Sequence, residues 1–357
     1  MILCIHLKNH IFVLGFAKFI HKHLNQSRAT PEFCYFYLLK QPYKGDVPNN
    51  LNFIIIPSNV ISRVIKVVLL LINNRNTIHH IQVYPGGRLA WVYCLIGRIL
   101  CLKVITVEQG DLTRIHQMTF HDRFSLFLSY KLATLVWYKE YYMKKRLHSL
   151  TSKPLFFVPN AISLPSIKKS YKKNIDFIWV NRMTKYRSIK WCIDVLKNDS
   201  FSKSVFIGFQ TSLMHSGDVT IDDEIIVCEE YPLKHKSQYM EYYSFGAVDP
   251  FDFYPRARFF LFPSEYVFGN FSLLEAMSFG VVPLVSDVYG TNHIVQHEHN
   301  GIVFKHDYVS FKKAIEFALN LNDQDYERLS RNAVQTIRDD FSLDTYNHNL
   351  TNLYNCI

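Results

Sequence analysis

The stretch FLFPSEYVFGNFSLLEAMSFGVVPLVSDVYGTNHIVQHEHNGIVF, residues 260–304, reads as strand, loop, helix, strand, loop, strand. The segment 257–264, ARFFLFPS, reads as a strand. A loop holding Gly269 and Asn270 follows, and a helix begins near Phe271 and Ser272. Segments 281–287 and 301–304 are again strand-like. A helix that starts after a glycine-containing loop presents backbone N–H groups and a positive dipole end, a setting suited to a diphosphate. Ser272 stands three residues before Glu275, the spacing of a capping box, which gives that carboxylate a purely structural reading as well.

Outward from this stretch the same alternation repeats. Towards the C-terminal half, residues 175–180 read as a strand, 188–198 as a helix, and 204–209 and 224–229 as strands. Beyond Tyr308 the chain is mostly helical and closes on an amphipathic segment, 341–357. In the N-terminal half, 51–57 is a continuous apolar run, expected to be a strand buried on both faces. Residues 60–72 have helical spacing, 78–84 read as a strand, 85–87 as a turn, 89–100 as a helix and 102–110 as a strand. Strand–helix–strand order predicts parallel, doubly wound α/β domains, with ligands beyond the C-terminal ends of the strands. The polar stretch 167–174 separates two such runs. The expected division is therefore 1–163, 164–340, and a terminal helix over 341–357 packing back on the N-terminal domain.

Composition narrows the function. A chain of 357 residues with 48% hydrophobic and 20% charged residues builds two cores, not a disordered polymer. The net charge of +10 calls for an anionic partner: nucleic acid, an anionic membrane or a phosphorylated small molecule. No nucleic-acid-binding motif accompanies the dispersed cations, which argues against nucleic acid. Seven cysteines without a C-x-x-C pair and sixteen scattered histidines are read as reduced thiols and no metal site. The N-terminal segment is read as a first strand and helix without a signal peptide, and no apolar run is long enough to cross a membrane; a cytoplasmic protein, peripheral at most on the inner face of the membrane, is expected.

The central stretch resembles the donor-binding signature of retaining family 4 glycosyltransferases. Pro263-Ser264, Ser272-Leu273-Leu274-Glu275-Ala276-Met277, Phe279-Gly280, Ser286-Asp287, Gly290 and Asn300-Gly301 carry the likeness. Residues 177–188, FIWVNRMTKYRS, resemble the family's basic loop, and 158–162, VPNAI, its domain junction. The resemblance implies a GT-B fold: two Rossmann-like parallel-sheet domains facing a cleft, with the C-terminal helix crossing back. It implies transfer of a sugar from a nucleotide diphosphate donor to a saccharide or lipid-linked hydroxyl, retaining and without a metal or cofactor, in assembly of lipopolysaccharide, O-antigen or capsule.

Carried over by position, Glu275 is the ribose-binding carboxylate, and the backbone from Gly269 through Asn270, Phe271, Ser272 and Leu273 holds the diphosphate. Arg182 and Arg187 neutralise it, with Lys185 between them and Asn181 and Ser188 replacing the usual glycines. On the acceptor side, Gln109, Gly110 and Asp111 follow a strand that resembles the family's acceptor loop, Gln109 standing where a His is usual. Asp111 reads more readily as a cap of the next helix. Two departures stand out: the family's first Glu, eight positions before the second, is Val267 here, with Glu265 the nearest carboxylate, and a later Glu is His293. These departures keep a catalytically inactive scaffold on the same fold as an alternative. Segments 12–24, 60–72 and 139–148 combine cations with apolar residues and read two ways, as core helices with solvated cations or as interfacial helices on an anionic leaflet.

Overall fold

In the computed structural model the described residues are 1–6, 25–39, 48–57, 59–85, 88–109, 112–166, 172–181, 185–197, 202–209, 240–244, 248–267 and 270–357. The readings placed on 12–24, on the turn at Gly86 and Gly87, and on strand 224–229 lie outside them. The chain forms two compact units, Met1–Ser163 with Leu343–Ile357, and Leu164–Ser342.

The N-terminal unit is a seven-stranded parallel sheet: β1 (Ile2–His6), β2 (Tyr35–Leu39), β3 (Leu51–Ile55), β4 (His80–Tyr84), β5 (Val104–Glu108), β6 (Leu135–Tyr138) and β7 (Leu155–Phe157). The order is β3-β2-β1-β4-β5-β6-β7. Its helices include α1 (Val60–Asn73), α2 (Ala90–Ile99), α3 (Phe120–Leu132) and α4 (Lys144–Leu150). The central strands β4, β5 and β6 are buried throughout, including the polar side chains of His80, Gln82, Thr106 and Glu108. The apolar run at 51–57 departs from its expectation: β3 is the edge strand and only partly buried, with Ile55 exposed. An apolar run reports that a strand is apolar, not which neighbours it has. Strands β2 and β6, which the sequence reading passed over, are rich in Tyr and Trp, whose rings are buried here.

The final helix of the chain belongs to this unit. Its residues Tyr346, Leu350, Leu353 and Tyr354 pack with Ile2, Cys4, Tyr35, Tyr37 and Trp137 in one core cluster. A buried polar network lies within that contact. Gln26 Nε2 donates to Tyr354 Oη at 2.7 Å and to Gln82 Oε1 at 3.0 Å, and Gln82 Nε2 donates to Tyr354 Oη at 3.0 Å. Each buried amide is thereby bonded, as a core polar group must be.

The second unit is a six-stranded parallel sheet of β8 (Ile175–Val180), β9 (Ser204–Phe209), β10 (Met240–Ser244), β11 (Ala257–Phe262), β12 (Val282–Asp287) and β13 (Ile302–Lys305). The order is β10-β9-β8-β11-β12-β13. Its helices are α5 (Ile189–Leu196), α6 (Phe271–Ser278), α7 (Thr291–Ile294), α8 (Tyr308–Leu319) and α9 (Asp323–Asp340), and α10 (Leu343–Asn355) is the terminal helix described above. Strand β10, MEYYS, has too few apolar residues for the sequence reading to have found it. The core joins Phe177, Trp179, Phe206, Phe259 and Leu284 to Phe311 and Leu329.

Candidate functional site

The order of the second sheet locates its ligand crevice. From β8 the chain builds outward through β9 and β10, then returns to β11 on the other side of β8 and continues through β12 and β13. The winding direction therefore reverses between β8 and β11. Ligands bind at such a switch point, outside the carboxyl ends of the strands. The segments that leave those two ends are 181–188 and 263–270, the two that sequence resemblance singled out.

Arg187 joins them. It ends a 3₁₀ turn, Lys185–Arg187, and is only 9% exposed. Its Nη1 donates to Ser264 Oγ at 3.0 Å and, more weakly, to the Tyr266 carbonyl at 3.4 Å. The guanidinium lies 5.2 Å from the Phe262 ring centre and 5.0 Å from that of Tyr266. Two aromatic faces and a hydroxyl thus hold one permanent cation at the switch point. The backbone adds a second tie, Glu265 N–H to the Tyr186 carbonyl at 2.9 Å. Ser188, in a glycine position of the resemblance, adopts φ +44°, a left-handed conformation that favours glycine. Asn181, in the other, has its carbonyl 1.7 Å from where a Cβ on Gly208 would lie, so the close approach is kept by Gly208 instead. Arg182 lies outside the described residues, as does the side chain of Lys185.

Helix α6 follows the second loop. Nearly all of its side chains are buried, and Glu275 is its half-exposed polar position. The cap is Asn270, whose side chain accepts from Ser272 N at 3.1 Å and from Ser272 Oγ at 2.6 Å. This overturns the capping box: with Asn270 as N-cap, Glu275 is beyond the first turn and has no capping role. The Asn270 carbonyl also takes the Leu273 and Leu274 amides at 3.0 and 3.1 Å. An anion arriving here meets the helix dipole and competes with Asn270 for individual amides. Phe271 is a buried core residue, and Gly269 lies outside the described residues. Glu275 is met by Tyr254 Oη at 3.5 Å, a long contact from a fully buried ring. Burial first, then the charge of Glu275, raises the Tyr254 phenol well above its ordinary range, so it stays a proton donor.

Val267 is fully buried. Its N–H donates to the Tyr289 carbonyl at 2.9 Å, and its own carbonyl is 1.6 Å from where a Cβ on Gly290 would lie. Gly290, at φ +94°, is thus required by the close approach of the Val267 backbone. Glu265 is exposed, and its charge reaches His306, whose pKa burial lowers while Glu265 and Asp307 draw it back up. The His306 ring meets Ser286 Oγ at 2.9 Å and lies against Trp191 at 4.9 Å. His293 sits edge-on to Phe341 at 5.8 Å; burial lowers its pKa and Asp340 opposes that. Among the described residues no group of three or more His, Cys, Asp or Glu side chains is arranged to hold a metal ion.

In the N-terminal unit, Gln109 follows β5 directly, beside the buried Glu108, which accepts a hydrogen bond from Tyr130 Oη. Gly110 and Asp111 lie outside the described residues. Tyr254, Ser264 and the Asn270 cap were not found by sequence reasoning. Ser264 stood inside a quoted motif, but its bond to Arg187 spans 77 positions. Tyr254 carries no local signal at all.

Comparison with known proteins bears on the fold. Residues 163–336 match the family model of glycosyl transferases group 1. No curated protein sequence matches the chain. Among solved structures, Alr3699/HepE of Anabaena in complex with UDP and glucose has a TM-score of 0.71 at 11% identity, over 100% of this chain and 99% of that one. Sucrose-phosphate synthase of Thermosynechococcus elongatus has a TM-score of 0.73 at 13% identity, over 99% and 98% of the two chains. The lipopolysaccharide outer core galactosyltransferase WaaB, in its apo form, has a TM-score of 0.69 at 14% identity, over 100% and 99%. At these identities the likeness is one of fold, and that fold is GT-B.

Proposed function

We propose that this chain, whose residues 163–336 match the family model of glycosyl transferases group 1, is a glycosyltransferase that carries a sugar from a uridine diphosphate donor to a hydroxyl of a saccharide or lipid-linked acceptor. The observation that carries the donor site is the buried Arg187 guanidinium, held on Ser264 at the switch point between β8 and β11. In this reading Arg187, joined by Arg182 and Lys185, faces the diphosphate, and Glu275 accepts from the ribose hydroxyls while Tyr254 steadies it. The dipole end of α6 at Asn270 to Leu273, with Gly269 before it, supplies further positive potential. Uridine is favoured because Alr3699/HepE, of the same fold, is seen with UDP and with UDP-glucose.

The chemistry follows from charge. As the bond between the anomeric carbon and the diphosphate oxygen breaks, negative charge gathers on the diphosphate. Fixed guanidinium groups stabilise that charge without reorganising and without a metal. The acceptor oxygen forms its bond to the same carbon, and its proton passes to the departing diphosphate oxygen. Attack on the face the diphosphate leaves retains the anomeric configuration. The N-terminal unit, residues 1–163 with the terminal helix, takes the acceptor, with Gln109, Gly110 and Asp111 at the end of β5. Assembly of a surface polysaccharide such as lipopolysaccharide is the favoured setting, supported by the fold shared with an outer core galactosyltransferase.

The test is a thermal-shift comparison of UDP, GDP, TDP, CMP and ADP without added metal. A ligand at about 100 times its Kd stabilises by about 2.7 kcal/mol, a rise of about 3–4 °C for a chain of this size. UDP should give that rise, and Glu275→Ala and Arg187→Ala should abolish it. No shift with any of the five removes the donor-site reading.

A further inference from the structure

The outer surface of the N-terminal unit carries large apolar side chains where a layer of covering helices ordinarily carries polar ones. From β3 through β4, β5 and β6 the chain moves almost steadily one way across the sheet, so right-handed crossovers bring α1, α2 and α3 to the same face. Their inner sides close the core with Val67, Leu71, Tyr93, Cys94, Leu126 and Tyr130. Their outer sides do not turn polar. On α1, Ile61 is 71% exposed, and Ile65, Leu69 and Ile72 continue its row at helical spacing, each at least half exposed. Ile99 at the end of α2 and Phe120 at the start of α3 are both 69% exposed. Phe124, 49% exposed, stacks on Phe120 at 6.2 Å, so α3 presents a paired aromatic surface beside the apolar row of α1 on the same face of the sheet.

The charge along the segments that carry α1 and α2 has one sign. No Asp or Glu occurs between Asp46 and Glu108, while Arg63, Lys66, Arg75, Arg88, Arg98 and Lys103 all fall in that interval. All of these cations but Arg63 are exposed. On α3 the one carboxylate, Asp122, is engaged by Thr119 Oγ1 at 2.9 Å, and Arg123 and Lys131 are exposed. A second copy docked here would set cations against cations with almost no carboxylate to answer them. No helix among the described residues is long and apolar enough to cross a membrane.

We infer that the α1–α2–α3 face docks on the surface of a bilayer that contains anionic lipid. The isoleucine, leucine and phenylalanine side chains enter the boundary between headgroups and acyl chains, and the surrounding lysines and arginines meet the lipid phosphates. The inference is independent of the donor-site reading, because none of these residues belongs to the second unit. Of the three segments with an interfacial composition, 60–72 supplies this face through α1. Segment 12–24 lies outside the described residues, and 139–148 keeps Met143 and Leu147 in the core.

Co-sedimentation with vesicles tests it. Full-length protein is mixed with phosphatidylcholine vesicles, with or without phosphatidylglycerol, at low and high salt. It should pellet with the anionic vesicles, weakly with the neutral ones, and less as salt rises. Two separate variants, Ile61→Ser with Ile65→Ser, and Phe120→Ser with Phe124→Ser, should each weaken binding at least about tenfold, since each removes two side chains from the apolar boundary. Both should keep the wild-type Tm and UDP-induced shift, because the replaced side chains are exposed. Failure to pellet, or binding that neither variant alters, overturns the inference. So does a dimer in sedimentation velocity that the same variants dissociate, which would make the face an interface between copies.

Discussion

Replacing Arg187 by methionine separates its two possible roles, because it removes the charge while keeping most of the volume. The guanidinium donates to Ser264 Oγ at 3.0 Å and, at a long 3.4 Å, to the Tyr266 carbonyl. A hydrogen bond from a charged group contributes about 1.5–3 kcal/mol, and each of its two ring contacts about 0.5–1 kcal/mol. Against these stands the desolvation of a nearly buried cation, which costs several kcal/mol. The stability terms nearly cancel, so Arg187→Met should melt within a few degrees of wild type. Catalysis has no such cancellation. Removing one fixed donor from a developing anion costs about 2.7–4 kcal/mol, or roughly 10²–10³ in kcat. Arg187→Lys, which keeps the charge but loses the fork and the stacking, should fall between, with a loss of about tenfold. The assay is initial-rate UDP release from the donor with acceptor present, paired with thermal melts of the same preparations. A methionine variant that keeps kcat within about threefold of wild type would refute the reasoning, and so would an activity loss that tracks a collapse in Tm.

Three further outcomes are expected. Glu275→Gln should raise the donor KM by about 10–100-fold, since hydrogen bonds to a charged acceptor are worth about 1.5–3 kcal/mol; Tyr254→Phe should have a smaller effect, and an unchanged KM in Glu275→Gln would exclude ribose binding there. Gly290→Ala should destabilise by about 2–3 kcal/mol, because φ is +94° and the new Cβ would meet the Val267 carbonyl, so denaturant unfolding should show a lower midpoint. His80 is fully buried, and desolvation, aided by His79 and the N-terminal amine, lowers its pKa well below the ordinary value. The folded protein therefore binds this proton more weakly than the unfolded chain. Its stability is held above about pH 6.5 and falls by about 1.4 kcal/mol per pH unit below that, until the folded pKa is reached. Melts from pH 7.5 to 5.5 should show that slope, reduced in His80→Asn.

Much of the protein was legible in its sequence because some physical constraints act over a few residues. The period of apolar residues along 175–209 and 257–304 imposes parallel strands and covering helices, and the loop before Phe271 imposes a helix start near a candidate ligand. Glu275 was visible as a carboxylate on that helix, and the basic loop ending at Arg187 as a run of cations after a strand. What those residues do locally was less visible. Ser272 and Glu275 have the spacing of a capping box, yet Asn270, two residues earlier, captures the Ser272 amide and moves the helix start. Spacing alone does not say which of two competing acceptors reaches an amide first.

The remainder belonged to the tertiary structure. Strand order put the apolar run 51–57 at a sheet edge and brought β8 beside β11, and neither neighbour relation is written in a strand's own composition. Only that order sets Arg187 on Ser264, 77 residues away, and Tyr254 under Glu275, 21 residues away. Only the fold shows that the backbone carbonyl of Val267 lies against Gly290, and that α1 turns its isoleucines to solvent. The physical reason is range. Backbone periodicity and turn chemistry are decided within one or two helical turns, whereas a buried side chain's partners are decided by which distant elements pack against it.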